Sequence, residues 1–138
     1  MTRTGRSRPV DEAYVSGRLA IARAFLKEAR NSDTVAEAGD IANPLMSTIV
    51  TCAIAYADAL SARFRGEINQ GDHQAVVKLL RAALGKDLPS RQEANLRALL
   101  EQKDEIQYGA RAKTRAEAER ALQRLEEFVA WAETRLLP

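Results

Sequence analysis

Several things are scarce in this chain, and each scarcity excludes a class of protein. Cys52 is the only cysteine. No intramolecular disulfide can form, and a thiolate zinc cluster cannot be built within one chain. His73 is the only histidine, with no second histidine or thiolate to join it, so neither a metal nor a cofactor is expected. Charge of one sign is also missing: the net is +2, and three of the basic groups, Arg3, Arg6 and Arg8, fall in a first ten residues without an acid. Residues 11–138 therefore hold 18 basic and 19 acidic side chains, a net of −1. A protein that wraps duplex DNA needs a larger basic excess in its folded part.

Residues 1–10 lack the apolar stretch of a signal peptide, which fits a cytoplasmic location, and they read as a disordered basic start to a single domain over 11–138. From Ile41 to Ala57 there is no charge, yet Asn43, Pro44, Ser47, Thr48 and Thr51 interrupt the run. A central helix buried in the protein, with no membrane contact, accounts for it better than a membrane span. Sustained apolar–polar alternation and Asn-Gly turns are absent, so a sheet protein is excluded.

What is present is apolar spacing of three and four residues almost throughout. Twenty-five alanines against seven aromatic residues imply helices packed closely over a thin core. The first helix is expected over 11–30, with Val15, Leu19, Ala22, Leu26 and Ala29 inward. Asn43 before Pro44 is a start signal, Asn capping exposed amides and Pro losing nothing at the first position. The second helix then runs over 44–65 and is buried on most of its circumference. Asp72 caps a third over 73–84, ended by Gly85. Ser90 with Glu93, and Thr114 with Glu117, match reciprocal capping boxes for helices over 91–107 and 115–136.

The expected fold is all-α, a four- to five-helix up-and-down bundle in which short connections make consecutive helices antiparallel. Helices two to five alternate in that arrangement and the first packs alongside. It gathers Asp58, Arg65, Asp72, His73, Lys103, Tyr108 and Arg111 at one end of the bundle.

These residues also carry a family likeness. An alanine-rich central helix reading Ala55-Tyr56-Ala57-Asp58-Ala59-Leu60 leads through a glycine-containing turn into Asp72-His73. Later, Leu99-Leu100-Glu101-Gln102-Lys103 runs on to Gln107-Tyr108-Gly109, and a long helix with Ala118, Ala121, Phe128 and Val129 follows. Together they resemble small prokaryotic HEPN proteins over most of the chain. The resemblance implies a HEPN-like bundle, a homodimer, and a nucleotidyltransferase-like partner protein in a toxin-antitoxin or defence setting. Active ribonucleases of that family carry an Arg and a His separated by about four to six residues near the start of a late helix. Here Arg65 is followed by seven intervening residues before His73, and the segment around Tyr108 to Arg115 has no histidine.

Each candidate has two readings. His73 beside Asp72 suits a general base, or it only helps to start a helix. Asp58, the first charge after the uncharged run, and Lys103, on an inward stripe, either pair with each other or face a ligand. Tyr108 either stacks a base or caps the core. Arg111, Lys113 and Arg115 lie where a helix start disfavours cations, so they either bind an anion or are neutralised by Glu117 and Glu119. Cys52 belongs to the core.

Three functions follow from these readings. The first is a non-catalytic or weakly catalytic module binding a nucleotide, RNA or a partner protein through that bundle end. The second is a metal-independent ribonuclease using Arg65 and His73. The third is a structural protein-interaction subunit.

Overall fold

The structure is a computed structural model that describes residues 7–137. It is an all-α bundle, as the periodicity predicts. Helix α1 covers Glu12–Val35, and Asp11 caps it by accepting the Tyr14 amide at 3.0 Å. It continues past residue 30, where the first helix was expected to stop, because nothing in 31–35 breaks it. Helix α2, Asn43–Arg65, is buried on nearly every side and stops at Gly66, whose φ of 70° is open to glycine at little cost. By length and composition α2 could cross a membrane, but 72% of its most apolar window is buried against other parts of the chain.

A short strand β1, Ser7–Pro9, pairs antiparallel with β2, Glu67–Asn69, placing Arg8 opposite Ile68. The disordered start expected over 1–10 is corrected here at residues 7–10: besides the ladder, the Val10 amide donates to the Gly66 carbonyl at 2.8 Å. Arg3 and Arg6 of that start lie outside the described residues. Beside this two-stranded ladder, Val15, Ala62 and Ile68 form a small satellite core.

Helix α3 spans His73–Leu84, and the Asp72 carboxylate caps it through the Ala75 amide at 3.0 Å. A 3-10 turn, Gly85–Asp87, leads to α4, Ser90–Glu101, and then to α5, Lys103–Tyr108. The helix expected over 91–107 is thus broken at Gln102, whose amide reaches back only three residues to the Leu99 carbonyl. Helix α6, Arg115–Leu136, starts on the capping box of Thr114 and Glu117. The box read at Ser90 and Glu93 does not form, because Glu93 is held by Arg81 and Arg97.

Contacts fix the helix directions. Cys52 meets the Ala22 carbonyl and Asp58 meets Arg18, so α1 and α2 are antiparallel. Arg23 pairs with Glu133 and Arg30 with Glu126, which makes α6 antiparallel to α1 and therefore parallel to α2. Arg91 pairs with Glu127 and Arg124 reaches Asn95, so α4 opposes α6. The third pass of the bundle is hence α3, α4 and α5 in series. With 12 residues, α3 spans about 18 Å, whereas the 23 residues of α2 span about 34 Å. One short helix cannot return along a long one, so two complete the pass.

The core is built around α2. Ala53, Ala55, Ala57 and Ala59 have no exposed surface and let neighbouring helices approach its backbone. Tyr56, Ile49, Leu60, Leu80, Leu96, Leu125 and Phe128 fill the space between them.

Candidate functional site

The residues expected to share one end of the bundle divide between its two poles. Asp58, Arg65, Asp72 and His73 belong to the end of α2 and the start of α3. Lys103, Tyr108 and Arg111 lie beside the start of α2: Asn43 Nδ2 donates to the Ile106 carbonyl at 3.1 Å, and Gln107 Nε2 to Ser47 Oγ at 3.2 Å. The length of α2, about 33 Å from its first to its last residue, separates the two groups. The serial third pass is the cause, since it carries the chain from His73 to Tyr108 once along α2 instead of up and back.

At the first pole Asp58 is 8% exposed, and its partner is Arg18, at 3.6 Å, rather than Lys103. Removal from water pushes the Asp58 carboxyl up to about 6, against the opposing pull of Arg18. Arg18 Nε is itself buried without a hydrogen-bond partner, so the pair is incompletely satisfied. Tyr14 is raised as well, by burial first and then by the Asp58 charge, and Arg8 of β1 lies over its ring at 5.7 Å. Arg65 Nε donates to Glu67 at 3.4 Å. His73 is the half-buried first residue of α3.

At the second pole Lys103 Nζ donates to Gln107 Oε1 at 3.0 Å, so the break at Gln102 has taken Lys103 off the inward stripe. Tyr108 is 79% exposed and caps no core. Arg111 bridges Glu105 at 3.2 Å and Glu117 at 2.7 Å, and both carboxylates hold it in the charged form. Arg115 holds Glu119 at 3.1 Å and Asp33 at 3.9 Å. The unfavourable cations at the start of α6 are therefore answered by side chains of the chain itself.

The sequence reading missed two features of this pole. Lys113 is buried, and its ammonium contacts Glu105 and Glu117. Asn43 does not cap α2: its side chain ties α2 to the connection between α5 and α6. For Lys113 the available signal was the pair of glutamates eight residues before it and four after it, which can answer a buried ammonium.

A third arrangement lies between the poles. Helices α1 and α6 flank α2 across a groove lined by Leu26, Tyr56, Val129 and Ala130, and paired Arg–Glu forks bridge it. Arg23 donates twice to Glu133, at 2.9 and 2.7 Å, and Arg30 twice to Glu126, at 2.8 and 2.6 Å. The Tyr56 hydroxyl rises from the floor to donate to Glu133 at 2.8 Å. Burial and that carboxylate raise the Tyr56 phenol well above its ordinary value. Tyr56→Phe keeps the packing and removes one charge-assisted hydrogen bond, so the expected loss is about 1–2 kcal/mol in urea denaturation. An unchanged midpoint would show that Arg23 alone holds Glu133 in place.

Cys52 lies in the core with no exposure, and burial pushes its thiol up to about 12. Among the described residues no three His, Cys, Asp or Glu side chains stand close enough to hold a metal ion. No family model matches the chain and no curated protein matches it, so its function is argued from its own residues.

Proposed function

We propose that the protein is a non-catalytic, HEPN-like helical module that acts by binding another protein. The observation that carries this reading is that many arginines of the bundle hold carboxylates of the same chain. Arg23 and Arg30 hold Glu133 and Glu126, Arg81 and Arg97 share Glu93, and Arg91 holds Glu127. A phosphate backbone is bound by cations free to replace its counterions, and these cations already have partners. What remains for a ligand is a surface of mixed sign with exposed Val35, Ile41 and Tyr108, the side-chain types that protein interfaces cover. The HEPN resemblance supplies the class of partner, a nucleotidyltransferase-like protein of a toxin-antitoxin or defence pair.

The ribonuclease reading has less support. Arg65 is engaged by Glu67, and the cations at the start of α6, which a phosphate would need, are distant from His73. The expected result is no cleavage of single-stranded RNA in EDTA, by the wild type or by His73→Ala. Binding of a fluorescent RNA at physiological salt is expected to be no tighter than about 10 µM, the range of non-specific contact. Cleavage lost in His73→Ala would establish the enzyme instead, and tight RNA binding would replace the protein partner with a nucleic acid.

A further inference from the structure

Between the end of α1 and the start of α2, the connection 36–42 borders a depression of about 310 Å³. Buried Leu45 and Ala118 lie beneath it, and Val35 and Ile41 stand around it at 76% and 66% exposed. A single exposed apolar side chain needs no explanation, but two that line one concavity make a patch. The connection that carries them is held by the chain itself. The Asp40 carboxylate accepts the Glu37 amide at 2.8 Å, the Asp40 amide donates to the Glu37 carbonyl at 3.0 Å, and Arg115 donates to the Ala36 carbonyl. The Ala42 amide reaches the Lys113 carbonyl at 3.0 Å, which ties this connection to the one between α5 and α6. A ligand there meets a formed surface, so little of its binding energy goes into ordering the chain.

The same depression is acidic, in a chain whose net charge is +2. Glu28, Glu37 and Asp40 line it, and among the described residues none of these three carboxylates forms an ion pair. Arg115, the basic residue of the lining, already answers Asp33 at 3.9 Å and Glu119 at 3.1 Å. One guanidinium is thus shared among five carboxylates. An anion is repelled from such a place, and a neutral apolar ligand leaves the carboxylates without a counter-charge. A bare cation answers the charge but leaves Val35 and Ile41 in water.

We infer that this depression takes a short basic segment of a partner protein, in which a large apolar side chain covers Val35, Ile41 and Leu45 while flanking lysines or arginines meet Glu28, Glu37 and Asp40. The volume agrees, since it stands near the lower limit of about 300 Å³ for small-ligand pockets and admits a side chain but not a folded domain. Apolar contact supplies the anchor, and the flanking charges select the segment and steer it in. The inference rests on the protein-binding reading above, and names the surface that binds and the chemistry of the segment bound.

A library of displayed random peptides of about 12 residues, selected on the full chain, tests it. The enriched peptides are expected to combine lysine or arginine with leucine, isoleucine or an aromatic residue. A synthetic copy is expected to bind with a Kd that rises at least about tenfold from low to high salt. Glu28→Lys with Glu37→Lys, and separately Val35→Ser with Ile41→Ser, change exposed positions, so the melting curve is expected to stay in place. Each pair is expected to weaken the peptide at least about tenfold. No enrichment, enriched peptides that are acidic or uncharged, or a peptide that binds either double variant as well as the wild type overturns the inference. Spermine that displaces the peptide at equal concentration overturns it as well, in favour of a small cation. With RNA unbound, each of these failures strikes this inference alone, whereas tight RNA binding overturns the reading it rests on whatever the peptides do.

Discussion

Asn43→Ala is expected to lower stability by about 3 kcal/mol, because one side chain satisfies three backbone groups from another part of the chain. Its Oδ1 accepts the Lys113 amide at 2.7 Å, and its Nδ2 donates to the carbonyls of Ile106 at 3.1 Å and Arg111 at 3.4 Å. The 3.4 Å contact is long and contributes little, so the loss falls on the other two. Alanine supplies neither donor nor acceptor, and the groups left behind lie against buried Ile106 and Lys113, where water reaches them poorly. For a chain of this length the loss corresponds to a fall of about 10 °C in melting temperature. Asn43→Asp keeps the acceptor for the Lys113 amide and loses both donors, so it should recover part of the loss and melt between the wild type and Asn43→Ala. A melting temperature for Asn43→Ala within about 2 °C of the wild type would show that the α5–α6 connection is held by its ion pairs instead.

Asn43 also marks where sequence reasoning stops. The residue was legible as special, because Asn before Pro at a helix start is a local signal with a local explanation. Its actual partners are more than sixty residues away, and no short-range rule reaches them. The helices themselves were legible because their signals are local: the apolar period, the Asp72 cap, the Thr114 box and the glycines at 66 and 85. The Ser90 box failed for the opposite reason, since a tertiary pair of arginines claims Glu93.

The candidate site failed on a direction rather than on any residue. Gly85 followed by Pro89 reads as a turn, but nothing in a turn's composition says whether the chain doubles back or carries on. Helix length was the available clue, since α3 is half as long as the helix it was meant to return along. Once α3, α4 and α5 are taken as one pass, the four-rod alternation is kept and the poles of His73 and Lys103 separate.

Asp58→Asn is expected to stabilise the protein at pH 7 by up to about 3 kcal/mol, and to have almost no effect near pH 4. The carboxyl rises from its ordinary 3.8 to about 6, so the folded state binds this proton more tightly than the unfolded state does. A carboxyl shifted in that direction favours folding when protonated and opposes it when ionised. Its contribution therefore improves as pH falls from about 7 through 6, and it is complete below the unfolded value near 4. The cause is burial: Arg18 at 3.6 Å pulls the other way but does not compensate, and its own Nε has no hydrogen-bond partner. Asparagine resembles the protonated acid in size and charge, so it removes the cost at neutral pH and changes little in acid.

Other carboxylates are shifted down by their arginines, among them Glu93, Glu117 and Glu133, and they destabilise both proteins alike on acidification. The difference between variant and wild type in urea, measured from pH 4 to pH 7, isolates Asp58. A difference independent of pH, or a variant less stable than the wild type at pH 7, would mean that the Arg18 pair outweighs the burial of the charge, and that Asp58 fastens α2 to α1 as an ion.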